Sequence, residues 1–272
     1  MTVPPSMGTE MRLATQADPG AATGPIVVSS YGFSGAARVQ EALTAGTELA
    51  CTSGTGIVPL CEAAADAWRR VEGQYSPHMS RLATVTLRGL VTAQVTTILA
   101  AAGSTRWCEL ATAPPTAFDA FLQVFPQAAV VCAHRRCLDV VCAAVSASPW
   151  GLQAPGLRPY LMSYPGNSVA ALAAYWANST EELLAFEQSH PGTAHRVRYE
   201  DVTASPEQAL RPLRAALGLP ALRHSPLPEH PEAVGTEPRP AGNSVPVEML
   251  PPPLRQRVSL LHGRLGYPPL TE

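Results

Sequence analysis

The chain of 272 residues is long enough for one domain with a large buried core, and 46% apolar against 15% charged residues marks it as globular rather than disordered. A net charge of −2 gives no basis for general binding to nucleic acid or to anionic membrane surfaces. All 19 basic residues are arginine, so a Gly-x4-Gly-Lys-Ser/Thr phosphate loop is excluded, and any phosphate or sulfate must be held by arginine forks, backbone amides, hydroxyls or histidine.

Residues 1–24 are rich in Pro, Gly, Ala and Thr without periodicity and read as a loose tail. They carry no basic stretch followed by an apolar one, so no secretory signal is read and the cytoplasm is the expected location. Residues 24–30 (GPIVVSS) form a β-branched run typical of a buried parallel strand. The run stops at 31–35 (YGFSG), and 36–45 reads as a helix. Helical patterns follow at about 57–72 and 82–103. The longest apolar stretch, 90–102, is interrupted by Thr92, Gln94, Thr96 and Thr97 and reads as a buried helix rather than a membrane span.

Beyond it, 106–110 is a short strand, 117–124 a helix, and 128–133 (AAVVCA) a second buried strand. A helix at 138–147, a long amphipathic helix at 168–188, a strand at 194–199 and a helix at 205–217 that stops at Gly218 complete the alternation. From 220 to 253 proline is frequent and periodicity is lost, which reads as a long loop, and 254–265 closes the chain as a helix ending at Gly266. Strands alternating with helices give an α/β fold: a three-layer α/β/α domain over residues 25–272, with a parallel sheet of about five strands. The six cysteines show no C-x2-C spacing and no histidine pair has zinc spacing, so they read as small buried apolar residues and no metal is expected.

Three segments carry candidate chemistry. The strand–turn–helix unit at 26–45 is an anion site in outline, since a helix N-terminus offers unbonded amides and the positive end of the dipole. Arg135 lies just past the second buried strand, where α/β folds place ligand contacts, although a surface ion pair with Asp139 would explain it equally well. The third is 198–201 (RYED), ahead of a proline-led helix.

In their order along the chain these segments resemble the sulfotransferases that use 3′-phosphoadenosine 5′-phosphosulfate (PAPS) and release PAP. Residues 32–37 (GFSGAA) fall where that family's P-[KR]-S-G-T-T loop holds the 5′-phosphosulfate, and 107–111 (WCELA) is similar to its W-G-E-K-T segment. Residues 125–139 match F-P-x-A followed by the R-x3-D of the 3′-phosphate site, 198–201 match R-Y-E-D, and 265–267 match L-G-Y. The resemblance implies a fold like that of P-loop nucleotide kinases, PAPS as donor, no metal, and a sulfuryl group moved to a hydroxyl or amine of a small-molecule acceptor. That acceptor is placed in secondary metabolism. A homodimer is left open.

The resemblance also implies donor contacts from Phe33, Ser34, Gly35, Ala36, Ala37, Arg38, Arg135, Ala143, Tyr199 and Arg239. The pattern is eroded: Phe33 replaces a basic residue, Ala36 and Ala37 replace hydroxyls, Leu110 replaces a lysine, and Ala143 replaces a serine. Arg38 and Ser146, one turn away, are candidates to compensate. Glu109 is the candidate base for the acceptor's proton, its alternative being a carboxylate that accepts from loop amides or pairs with an arginine. His134 is the second candidate base, with packing as its alternative. Two other functions stay open: a repurposed member that binds a nucleotide or a protein without catalysis, and a phosphoryl-transfer kinase, which the missing lysine disfavours.

Overall fold

The computed structural model describes residues 24–71, 77–147, 156–222 and 246–270. The strands are β1 (Ile26–Ser30), β2 (Ala50–Ser53), β3 (Trp107–Thr112), β4 (Ala129–His134) and β5 (Ala194–Arg198). They form one parallel sheet in the order β2-β3-β1-β4-β5. β1 and β4 lie inside the sheet, which is why their runs IVVSS and AVVCAH read as almost uninterrupted apolar segments.

Side chains alternate between the two faces, and each face has its own helices. On one, Ile26, Val28, Val131 and Val197 meet Val39 and Leu43 of α1 (Ala36–Thr44), Val202 of α8 (Tyr199–Ala204) and Leu210 of α9 (Pro206–Ala216). On the other, Val27, Trp107, Ala111 and Val130 meet α2 (Ile57–Val71), α4 (Pro115–Val124), α5 (Cys137–Ala147), α7 (Ser168–Ser189) and α10 (Pro252–Leu265). This is the expected three-layer arrangement, with helices on both sides of five parallel strands. β1 marks the point at which connections leave in opposite directions: its successor β2 lies beyond β3, while β3 connects across β1 to β4. The crevice at the carboxyl ends of β1, β3 and β4 is therefore where a ligand site belongs.

Some elements depart from the sequence reading. β2 (ACTS) is a four-residue edge strand whose polar residues carry no apolar signal. The short helix α6 (Arg158–Ser163) was not expected, and β5 stops at Arg198 because Tyr199 opens α8. α3 runs over Pro77–Ala102, and its apolar part is exposed rather than buried. Over 82–102 only Leu87, Val91 and Val95 are buried, while Leu82, Val85 and Leu90 are open to solvent. By length and composition Leu82–Ala102 is apolar enough to cross a bilayer. The Arg88 guanidinium bonds the Val124 and Gln123 carbonyls and ties α3 to the end of α4. Four cysteines are buried as expected, but Cys51 is exposed on the edge strand and Cys142 is half-buried.

Two arginines, Arg214 buried and Arg106 half-buried, act as crosslinks. Arg214 of α9 bonds the carbonyls of Leu43, Ala45 and Pro220, closing the end of α1 where a helix leaves its last carbonyls unpaired. Arg106 joins the carbonyls of Gly24 and Leu217. The 1–24 tail, all but its last residue, and most of the proline-rich 220–253 segment lie outside the described residues, and so does Arg239.

Candidate active site

The turn after β1 has the backbone of an anion site. Phe33 and Gly35 both take left-handed conformations (φ 66° and 74°), and the chain then enters α1 at Ala36. The amides of Ala36 and Ala37 begin the helix and have no carbonyl one turn back within it. The Gly32 amide donates to the Tyr175 hydroxyl (3.3 Å) and the Ser34 amide to the Tyr31 carbonyl (3.2 Å), which fixes the turn from below. Ser34 is fully buried, whereas Ala37 is exposed. Arg38 turns along its own helix to Glu41 (2.8 Å), so the positive charge expected near this turn is shared with a carboxylate.

Arg135 follows β4 and reaches back to this turn. Its guanidinium donates to the Phe33 carbonyl (3.3 Å) and lies over the Tyr199 ring, 4.3 Å from the centroid. Its amide donates to the Tyr31 hydroxyl and its carbonyl accepts from Trp176 Nε1, so the backbone is held on both sides. The expected alternative, an ion pair with Asp139, is not formed. Arg135 is 8% exposed, its Nε has no hydrogen-bond partner, and among the described residues no carboxylate pairs with it. A buried cation without a counter-charge is costly unless its donors are bonded, as those of Arg214 are to carbonyls, and Arg135 leaves its Nε open.

The R-Y-E-D segment is a hub. Arg198 holds Asp201 through two hydrogen bonds (2.6 and 2.9 Å) and the Gly266 carbonyl (2.7 Å). Glu200 accepts from the Arg136 amide and from the Tyr267 hydroxyl. Burial beside Glu200 pushes the Tyr267 phenol well above its ordinary range, so it remains a donor. The segment thus ties β5 to the start of α5 and to the Leu265-Gly266-Tyr267 end of α10. Tyr199 serves the site directly: a Cβ on Gly35 would meet its ring at 2.3 Å, so ring, turn and Arg135 form one stack.

The two candidate bases are elsewhere. Glu109 is in the middle of β3, opposite Val27 rather than at the strand's carboxyl end, and is 2% exposed. One carboxylate oxygen accepts from the Thr55 amide and hydroxyl (both 2.9 Å), and the other accepts from the Thr52 hydroxyl, which in turn accepts from Trp107 Nε1. This is the loop-amide arrangement given above as the alternative to a base. His134 is fully buried at the end of β4, with Nε2 2.7 Å from Glu187, whose other oxygen is held by Arg196. Burial raises the Glu187 carboxyl, but the bonds from His134 and Arg196 outweigh it and bring it below the usual range. Ala143 is buried in α5 with no polar atom to offer, and Ser146, its expected substitute, is exposed one turn on.

Across β1 from Arg135, a cavity of about 340 Å³ opens over the ends of β1 and β3. It is lined by Tyr31, Thr112, Tyr160 of α6, and Tyr175, Ser179 and Glu182 of α7. Neither Glu109 nor His134 lines it. The sequence reading named none of these residues. The signal available was the spacing of Tyr175, Ser179 and Glu182, at i, i+4 and i+7 along one face of an amphipathic helix. Among the described residues no group of three or more His, Cys, Asp or Glu is placed to hold a metal ion.

A parallel sheet in this order, with a glycine turn entering a helix at the crevice and an arginine facing it, defines an α/β protein of the P-loop-like class. The chain belongs to the sulfotransferase family, whose model matches residues 25–223. Among solved structures, it is similar to the sulfotransferase domain from the curacin biosynthetic pathway, with a TM-score of 0.57 and 16% identity over 91% of this chain and 99% of that domain. It is also similar to the sulfotransferase domain of the Synechococcus PCC 7002 olefin synthase (TM-score 0.51, 14% identity, 92% and 97% covered). A third is sulfotransferase STF9 from Mycobacterium avium (TM-score 0.50, 12% identity, 90% and 76% covered). At these identities the structural likeness is one of fold. No curated protein matches significantly.

Proposed function

We propose that the chain is a PAPS-dependent sulfotransferase acting on a hydroxyl or amine of a small-molecule acceptor, in the cytoplasm and in secondary metabolism. The observation that carries the donor assignment is Arg135, a buried guanidinium with an unbonded Nε and no counter-charge among the described residues. A 3′-phosphate is the kind of anion that would satisfy it, and Tyr199 keeps its plane fixed. The open amides of Ala36 and Ala37 would face the 5′ end of the nucleotide. With Phe33, Ala36, Ala37 and Ala143 offering no side-chain donors, binding there rests on backbone amides and one arginine fork.

PAPS supplies the sulfuryl group. The acceptor oxygen or nitrogen forms the new bond to sulfur. The bond from sulfur to the 5′-phosphate oxygen breaks and its electron pair stays on the released 5′-phosphate of PAP, and the acceptor's proton passes to water in the open cavity. The cavity beside the turn is the proposed acceptor site. Its approximately 340 Å³ is at the small end of the range for small-molecule pockets. In this reading Glu109 braces the β2–α2 loop, both its oxygens being bonded there, and His134 braces α7 through Nε2 and Glu187, while its buried Nδ1 has no partner among the described residues. A name among the structural relatives, a domain of a biosynthetic pathway, supports placing the acceptor in secondary metabolism. The test is PAP release from PAPS with phenolic and amine acceptors. Formation of PAP by the wild-type chain, and its loss in Arg135→Ala, supports the proposal. A folded wild-type chain that releases no PAP with any acceptor contradicts it and leaves the non-catalytic binder.

A further inference from the structure

The cavity has a chemical bias that identifies a class of acceptor. Three of its walls are tyrosine rings, each fixed by a bond to its hydroxyl: Tyr31 accepts from the Arg135 amide, Tyr175 from the Gly32 amide, and Tyr160 from Asn178 (2.7 Å). Tyr160 and Tyr175 meet edge to face at 5.7 Å, so the walls support one another. Among the described residues, Glu182 is the one acidic side chain of the lining, and no arginine or histidine lines the cavity.

Other acidic residues of α7 are already engaged: Glu181 by Arg257, and Glu187 by Arg196 and His134. No ion pair among the described residues involves Glu182, which is exposed on the cavity side of the helix. Aromatic faces attract cations, and an acidic side chain adjoining them sets the preferred sign of charge. Burial also pushes the Tyr31 phenol well above its ordinary range, so it adds no second negative charge.

We propose that this cavity selects an acceptor carrying an ammonium or other cationic group, held by Glu182 between the tyrosine walls. The proposal deepens the acceptor assignment above and rests on it for the transfer assay, though not for the binding assay. Three phenols of similar size separate the possibilities: tyramine (cationic), 4-ethylphenol (neutral) and 3-(4-hydroxyphenyl)propionate (anionic). Calorimetry on the full chain is expected to show tyramine bound about tenfold or more tighter than the propionate. Glu182→Gln should bring the three within about threefold, and Glu182→Arg should reverse their order, with melting temperature unchanged because the residue is exposed. PAP release from PAPS should follow the same order. Equal wild-type affinities, an order that Glu182→Gln leaves intact, or no binding of any phenol at millimolar concentration overturns the proposal. Selective binding that Glu182→Gln abolishes, without PAP release from any phenol, upholds the cavity assignment and counts against sulfuryl transfer.

Discussion

On the Arg135 side of the crevice, protein fills the space: Tyr199 stacks on the arginine and on Gly35, and the Phe33 carbonyl takes one of the guanidinium's bonds. On the opposite side of β1, the tyrosine walls stand apart and leave a cavity. The first side is a tight stack that is short of an anion, whereas the second is open and carries an acid. The difference is that one side of the strand end is packed around a cation and the other is an open cavity with an acidic side chain. In the proposed reading the donor side would recognise negative charge with few groups held rigidly, and the acceptor side would offer volume and a weak bias.

The largest way to break this contrast is Gly35→Ala. The residue has φ 74°, and its new methyl would meet the Tyr199 ring at 2.3 Å. Strain and displacement of the ring should cost about 3 kcal/mol of stability in denaturant titration. PAP affinity should fall in the folded protein, while tyramine binding across β1 changes little.

Next comes Glu109→Gln, which keeps the shape but removes the charge from the Thr52–Thr55 cage. A buried charge-assisted network of this kind should lose about 2 kcal/mol, read as a lower denaturant midpoint. Turnover should fall in proportion to folded protein. A loss of rate by about 10²-fold or more at unchanged stability would instead return Glu109 to the role of base. Arg135→Lys follows. An ammonium cannot reproduce the stacked fork, so PAP affinity should drop about tenfold, roughly 1.4 kcal/mol, at unchanged melting temperature.

The smallest effect is on pH dependence. Burial holds the His262 imidazole below its ordinary value, against the pull of the Pro268 carbonyl, and its Nε2 accepts from the Cys137 amide at the start of α5. Burial lowers His195 in the same way. The unfolded chain therefore binds more protons below about pH 6.5, so stability should rise with pH and fall as pH drops through that value. His262→Gln should flatten the slope of melting temperature between about pH 7.5 and pH 5.5.

Much of the frame was legible in the sequence because β1 and β4 are interior parallel strands, and their apolar runs say so directly. β2 was not, since four residues at a sheet edge bury only Ala50. The exposure of α3 was hidden because an apolar helix looks the same whether or not neighbours cover it. Arg135 and Tyr199 were legible as motif residues, but their stacking on Gly35 depends on β4 and β5 being neighbours. The contacts of Glu109 and His134 could not be read from the sequence, because they are made with partners more than 50 residues away, Thr55 and Glu187. Glu182 belongs to no motif. Its place in the cavity follows only from the packing of α7 against β4 and β5, which brings Tyr175 to the turn after β1.

The donor assignment is tested most directly by comparing PAP with ADP on the wild-type chain. The two differ in the 3′-phosphate that Arg135 would hold. At a PAP concentration 100 times its dissociation constant, the stabilisation should be about 2.7 kcal/mol, with a clear rise in melting temperature and a much smaller rise for ADP at the same concentration. Equal shifts for the two nucleotides, or no shift with either at millimolar concentration, would contradict the donor site built on Arg135.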